Sequence, residues 1–442
     1  MAVDVQGAQA NRPMAGSSPA LELAGILPDD SCVNARGHLE VGGCDVVDLA
    51  HEFGTPAYIY AENDIRHRAR DYIRAFEKHA ESFEVLFASK ALACTAAYRL
   101  FGEEGLSVDV ASGGELFMAL KAGIEPERIY FHGNNKSEVE LLAAIERNVG
   151  CMVVDSFDEI DRLDALLRRP QQVLVRITPD VKPRTHAAAQ TGQADSKFGF
   201  GLVSGQAAEA IAAVRQSQNL DLVGLHAHIG SQILDLDVFL DEVDALATVA
   251  DSSLRLINLG GGLGIRYKRE EQHPPSIDSY VKAIVERVRS RFSEGVRILV
   301  EPGRSLVGNA GVTAYQVGTI KNIPRVRTYA AVDGGMSDNL RPMLYGSRYE
   351  ALIANRADVA ADTVVTVVGK HCETGDNLLE RAALGAPEIG DILVMPATGA
   401  YGHSMANNYN GVPRPPVIFC KDGDAHVVVR RETYQDLVAR DR

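Results

Sequence analysis

The chain has 442 residues, 46% of them apolar and 24% charged, with a formal net charge of −14. This is the balance of a globular protein of two or three domains, and its acidity argues against nucleic acid or an anionic membrane surface as the main partner. No run of about 18 apolar residues occurs, so no membrane-spanning helix is expected.

In chain order, residues 1–36 open with an Ala/Gly/Pro/Ser-rich stretch and read as a poorly ordered tail. A basic segment followed by an apolar one is missing there, so it does not read as a secretory signal. Residues 37–57 read as a β segment that joins a later domain. Residues 58–312 repeat one pattern: apolar run, polar or glycine-rich loop, long helical stretch. Strands are expected at 84–88, 106–110, 128–131, 149–154, 172–177, 222–227, 254–259 and 296–300. Eight strands alternating with helices predict an α/β fold, a closed (β/α)8 TIM-type barrel, in preference to an open doubly wound sheet. From 313 to 442 strands are expected at 314–320, 329–332, 364–368, 392–395, 417–419 and 426–429, without long helices between them. Lys421-Asp422-Gly423-Asp424 marks a hairpin, and this part reads as an all-β barrel or sandwich domain.

In such a barrel the chemistry gathers where strands end. Lys90 ends the first strand, where an amine held from water can become a nucleophile through a lowered pKa. His226 and His228 end the sixth, Gly260, Gly261 and Gly262 the seventh, and Glu301, Gly303 and Arg304 the eighth. Loops after the last two strands commonly hold phosphate, and Arg304 adds a charge-assisted donor. A dinucleotide fingerprint starting at Gly260 fails, because position 265 is Ile265. A metal on His226 and His228 lacks a further ligand nearby in sequence, so no metal is expected and His226 reads as a packed or hydrogen-bonded barrel residue. An aldehyde cofactor with a phosphate uses all the remaining groups: the lysine, the glycine loop, an acid at its ring nitrogen (Glu301) and an imidazole on its ring face (His228). The six cysteines, Cys32, Cys44, Cys94, Cys151, Cys372 and Cys420, have no metal-type spacing and read as free thiols of a cytoplasmic protein.

Several motifs stand in the order seen in the alanine-racemase-like, fold type III pyridoxal-phosphate decarboxylases. They are Phe87-Ala88-Ser89-Lys90-Ala91, His228-Ile229-Gly230-Ser231-Gln232, Gly260-Gly261-Gly262, Glu301-Pro302-Gly303-Arg304, Cys372-Glu373-Thr374-Gly375-Asp376 and Gly399-Ala400-Tyr401. Within that group His132-Gly133-Asn134-Asn135-Lys136-Ser137, Asp333-Gly334-Gly335-Met336-Ser337-Asp338-Asn339, Arg341-Pro342-Met343-Leu344-Tyr345 and Asn408-Tyr409-Asn410 are similar to the diaminopimelate decarboxylase family. The resemblance implies pyridoxal 5'-phosphate on Lys90, His228 stacked on its ring and Glu301 at its nitrogen. Ser231, Gly260, Gly261, Gly262, Gly303, Arg304 and Tyr401 would surround the phosphate. Arg304, Arg341, Tyr345, Glu373 and Tyr401 would bind an amino-acid substrate, and Cys372 would donate a proton. It further implies a homodimer with active sites shared across the interface, and decarboxylation of meso-diaminopimelate to L-lysine and CO2, the last step of lysine biosynthesis.

Two places depart from the family pattern. The loop at 182–193 has Arg184 and an alanine run where an acid and an aromatic are expected, and His403 replaces an aromatic. A related decarboxylase of secondary metabolism acting on another amino acid is the alternative reading, followed by a racemase or a non-catalytic homologue. Cys372 argues against the racemase, which wants a tyrosine base in the second domain. Lys90, Cys372 and the phosphate loop argue against the homologue without activity.

Overall fold

Eight short apolar strands close into a parallel barrel: β1 (Phe83–Ala88), β2 (Ser107–Val110), β3 (Ile129–Phe131), β4 (Cys151–Val154), β5 (Gln171–Thr178), β6 (Leu220–Ala227), β7 (Leu256–Asn258) and β8 (Arg297–Val300). Each pairs with the next, and β8 returns to β1 with Ile298 beside Phe83. The computed structural model describes residues 19–181 and 196–442; the divergent loop at 182–193 lies outside the described residues.

Side chains alternate along a strand, so every second residue faces the interior. Leu86, Tyr130, Cys151, Val153, Leu174, Val223, Leu256 and Leu299 form a buried apolar cluster of their own, which is the base of the barrel. Two residues further along come His132, Asp155, Arg176, Asn258 and Glu301, all buried and all polar. The same alternation thus packs one end of the barrel and arms the other. On β6 a register shift between Leu222 and Gly224 inserts a residue, so that His226, three places after Val223, faces inward instead of Leu225.

The second domain is a sheet in the order Asn377–Leu384, Thr363–Val368, Arg327–Val332, Gly311–Ile323, Ala57–Ala61, Val417–Lys421, Asp424–Val429. Ile392–Met395 pairs with Gly311–Ile323 and with Leu352–Ile353. Lys421 lies opposite Asp424, and the two hairpin residues between them, Asp422 and Gly423, have φ of 53° and 90°. Those positive values are what a type I′ turn requires, and the Asp-Gly pair supplies them.

Three expectations need correction. Part of the segment expected to be a poorly ordered tail is packed, because Leu23, Ile26 and Leu27 are buried in the core of the second domain; residues 1–18 lie outside the described residues. Within 37–57, Val46–Phe53 is an α-helix: the Asp45 carboxylate caps the amides of Val47 and Asp48 at 2.9 and 3.2 Å, and Val46, Val47, Leu49 and Ala50 make a buried face. The strand that joins the second sheet is Ala57–Ala61, which straddles the expected start of the barrel.

The domains lock where the 397–405 loop meets the barrel. The Gly399 amide donates to the Gly308 carbonyl at 3.0 Å, the Tyr401 amide to Ala91 at 2.8 Å and the Ala93 amide to Ser404 Oγ at 2.8 Å. A Cβ on Gly399 would stand 1.9 Å from the Val307 carbonyl oxygen. Gly399→Ala is expected to lower stability by about 2–3 kcal/mol, read as an earlier urea midpoint, because backbone must separate to admit the methyl.

Candidate active site

The polar strand ends open into one cavity of about 730 Å³. Of the residues singled out from the sequence, Lys90, His228, Ser231, Gly261, Gly262, Glu301, Gly303, Arg304, Arg341, Tyr345 and Tyr401 line it. Gly260, Cys372 and Glu373 do not line it.

Lys90 stands in the short 3-10 turn Ser89–Ala91 that follows β1. Asp109, at the end of β2, fixes that turn: its Oδ1 accepts the Ser89 amide at 3.1 Å, and its carbonyl accepts the Ser89 hydroxyl. The lysine side chain is accessible from the cavity. Its pKa is raised, which reverses the expectation of a depressed one. Loss of water pulls it down, but Asp109, Tyr401 and Glu301 together outweigh that effect. Burial in turn pushes Asp109 up to about 7, with Glu301 adding to the shift.

Glu301 sits among nitrogens. Asn258 Nδ2 donates to its Oε1 at 2.7 Å, His226 Nε2 is hydrogen-bonded to its Oε2 at 3.3 Å, and His132 Nε2 lies 2.9 Å from Oε1 outside hydrogen-bond geometry. Burial opposes ionisation, but the two adjacent imidazoles hold the carboxyl well below its ordinary range. His226, pushed down to about 4 chiefly by burial, acts as a neutral donor. The ligating atoms of His132, His226 and Glu301 lie within 4.8 Å of one another, a spacing a metal can use, though here both imidazoles are turned onto Glu301. His228 is also held neutral, well below its usual value, first by burial and then by Lys90 and Arg176. Its Nδ1 accepts the Gly261 amide at 3.2 Å, which puts its proton on Nε2.

The glycine loop and the loop after β6 are stitched together. Ile233 and Leu263 form a parallel bridge, the Ile233 amide donates to Gly262 at 2.9 Å, and Gln232 Oε1 accepts the Ile265 amide at 3.1 Å. The Gly260 amide is engaged by Asn258 Oδ1 at 2.9 Å. Its φ is 57°, and a Cβ there would stand 2.6 Å from the Ala227 carbonyl oxygen, so a side chain is excluded. Arg304 donates through Nη2 to Ser231 at 2.8 Å and lies 4.9 Å from the Tyr401 ring centroid. Its Nε is buried without a hydrogen-bond partner.

Cys372 and Glu373 are held elsewhere, on a loop of the second domain. Asp376 accepts the amides of His371 and Met336 at 2.9 and 2.7 Å and the His371 ring at 2.8 Å, while Asn410 Oδ1 accepts the Cys372 amide at 2.8 Å. The thiol of Cys372 is exposed, and all six cysteines are free. His403, in place of an aromatic, packs edge-on against Tyr58 with centroids 6.1 Å apart. Sequence reading gives no role to Asp109, His132, Asn258 or Tyr267. The first three stand at a strand end or one residue from it, where strand parity marks them; Tyr267 lies deep in a loop and carries no such signal.

The fold is that of the pyridoxal-dependent decarboxylases, and the chain belongs to that family: residues 62–308 match the family described as "Pyridoxal-dependent decarboxylase, pyridoxal binding domain". Within the class it belongs to the diaminopimelate decarboxylases. It is 48% identical over 430 residues to the diaminopimelate decarboxylase of Bacillus subtilis, covering 94% of this chain and 98% of that one. It is 43% identical over 416 residues to that of Staphylococcus aureus, covering 92% and 98%. The crystal structure of the M. jannaschii diaminopimelate decarboxylase in co-complex with L-lysine matches with a TM-score of 0.87 at 34% identity, covering 94% of this chain and 98% of that one. Among the described residues no helix is long and apolar enough to cross a membrane.

The buried imidazole of His226 has a consequence for stability. A group whose folded pKa is depressed from 6.5 to about 4 leaves protons to be bound only by the unfolded chain in that interval. Its contribution is therefore present above pH 6.5 and is lost as pH falls through 4. Urea unfolding from pH 7 to 4.5 is expected to show a shallower acid loss in His226→Asn than in the unsubstituted protein.

Proposed function

We propose that this chain removes the carboxylate from the D-configured centre of meso-diaminopimelate, giving L-lysine and CO2, with pyridoxal 5'-phosphate as cofactor. The observation that carries this reading is the convergence of an accessible lysine amine, a neutral imidazole, an ionised buried carboxylate and two arginines on one cavity, in a chain of this family.

The donor set fits the group. Lys90 offers the amine that holds the aldehyde, and the ionised Glu301 suits a protonated ring nitrogen. His228, uncharged, suits the ring face. Ser231, Gly262, Gly303 and Arg304 surround the place for a phosphate, Arg304 with its unpartnered Nε. When bound, pyridoxal phosphate supplies the electron sink for breaking the bond to the carboxylate. The protein's own share is charge and geometry. His132, His226 and Asn258 keep Glu301 ionised and aimed. Arg304 and Arg341 take the substrate's far carboxylate, with Tyr345 and Tyr401 beside them. Asp109 holds the Lys90 turn, so that the amine returns to one place after each turnover.

Cys372 donates the proton that replaces the lost carboxylate, and Glu373 receives the substrate's far ammonium. Both belong to a cavity in a second copy of the chain. This reading is supported by the exposure of Cys372 on the Asp376-braced loop and by the absence of both residues from the lining of their own cavity. The working unit is then a homodimer with shared sites, acting in the cytoplasm.

Release of CO2 and L-lysine from meso-diaminopimelate by the holoenzyme tests the substrate; CO2 from a different amino acid alone sinks that assignment. Lys90→Ala is expected to lose both activity and cofactor absorbance. For the shared site, inactive Lys90→Ala and Cys372→Ala chains are mixed, unfolded and refolded together. Random pairing puts one intact site on each mixed dimer, so about a quarter of the original activity should return. No recovery would place Cys372 in its own chain's site.

A further inference from the structure

Tyr267 is absent from the roles assigned above, yet it stands between the two arginines of the cavity. The loop after β7 delivers it, braced by Glu271, whose Oε2 accepts the amides of Tyr267 and Lys268 at 2.8 and 3.2 Å. The phenol oxygen accepts from Arg304 Nη1 and from Arg341 Nη1, the latter at 2.8 Å. Arg341 Nη1 also reaches the Tyr349 hydroxyl at 2.6 Å. The Tyr267 and Tyr349 rings meet edge to face at 88° with centroids 5.3 Å apart, which fixes the orientation of the first phenol. Tyr267, Arg304 and Arg341 are 5%, 8% and 6% exposed.

This arrangement is unusual in its charge balance. The hydrogen-bond partners of the two guanidiniums are hydroxyls of Tyr267, Tyr349 and Ser231, and neither forms an ion pair with a carboxylate among the described residues. Two buried like charges repel, and each needs an acceptor. One phenol oxygen supplies an acceptor common to both. Burial raises the phenol's pKa, but the two arginines more than offset this and the net direction is down, as expected for an oxygen that carries part of a counter-charge.

We propose that Tyr267 is a positioning residue that sets substrate specificity: by joining Arg304 to Arg341 through its phenol oxygen, it holds the two guanidiniums at the spacing that takes the carboxylate at the substrate's far end. This rests on the reading that those arginines bind that carboxylate. A hydroxyl shared between two guanidiniums fixes their separation, which packing alone does not do for such long side chains. Amino acids whose far end carries only an ammonium gain nothing from the pair.

Two inhibitors separate the carboxylate from the rest of the ligand. L-Lysine carries it, and 1,5-diaminopentane lacks it with the same amine spacing. In the Tyr267→Phe holoenzyme the L-lysine inhibition constant is expected to rise about tenfold or more, the loss of a hydrogen bond to charged groups, while that of 1,5-diaminopentane changes less than about twofold. KM for meso-diaminopimelate should rise in step with the L-lysine constant and by a larger factor than kcat falls. Equal weakening of both inhibitors, or of neither, overturns the proposal. Arg341→Met separates the two levels: unchanged L-lysine inhibition there defeats the reading of the arginines, whereas weakened inhibition in Arg341→Met but not in Tyr267→Phe defeats the inference alone. Cofactor absorbance and the urea midpoint report folding. Should Tyr267→Phe not fold, Glu271→Gln loosens the bracing loop and is expected to weaken L-lysine selectively by a smaller factor; unselective weakening there overturns the proposal too.

Discussion

A carboxylate buried at the mouth of the barrel is the constraint around which the site is arranged. Glu301 is ionised in a place that resists charge, and it stays so because three side chains from three strands or strand ends turn their nitrogens toward it. His132 follows β3, His226 comes from β6 and Asn258 from β7, so the carboxylate is also a tie between distant parts of the barrel. The influence spreads from there. Asn258 also fixes the Gly260 amide, which shapes the glycine loop, and the Gly261 amide selects the proton-bearing nitrogen of His228. The negative charge at Glu301 also reaches Lys90, where it helps Asp109 and Tyr401 keep the amine protonated.

Strands and loops divide the labour differently. The amine, the imidazole and the carboxylate stand one or two residues past the ends of barrel strands, which set their place at the mouth. The longer loops have no such support, and they are held by single acidic side chains that each satisfy several backbone groups: Asp376 beneath the Cys372 loop of the sheet domain, Glu271 beneath Tyr267 in the loop after β7. The junction between the domains joins backbone to backbone, as between Tyr401 and Ala91, and side chain to side chain, as between Arg341 and Tyr267. Where backbone meets backbone, as at Gly399, it tolerates added volume poorly.

Much of the barrel was legible in the sequence because its signal is local. Short β-branched and aromatic runs between glycine-rich loops mark all eight strands to within two or three residues at either end, and their order places Lys90, His228, Glu301 and Arg304 at one mouth. Where reading failed, the cause was a competing local effect. Asp45 caps a helix over an apolar run that resembles a strand, and Asn377–Leu384, with Glu380 and Arg381 at its centre and a positive φ at Arg381, lacks the alternation of a strand and was missed. The sign of the Lys90 shift was out of reach for another reason. Burial alone predicts a lowered pKa, and the outcome turns on Asp109, Tyr401 and Glu301, which come from three separate parts of the chain.

The irregular register on β6 has a meaning for how this sequence can change. Between Leu222 and Gly224 one additional residue shifts the phase of the strand, and only after that shift does His226 turn toward Glu301 and, two places later, His228 toward the cavity. Without it Leu225 would meet Glu301 and an aliphatic chain would replace a donor. Loss of a single codon in this strand would therefore exchange the polar and apolar faces of the rest of the strand, leaving length and composition almost untouched. The chain can vary the identity of many residues here far more readily than it can vary their number.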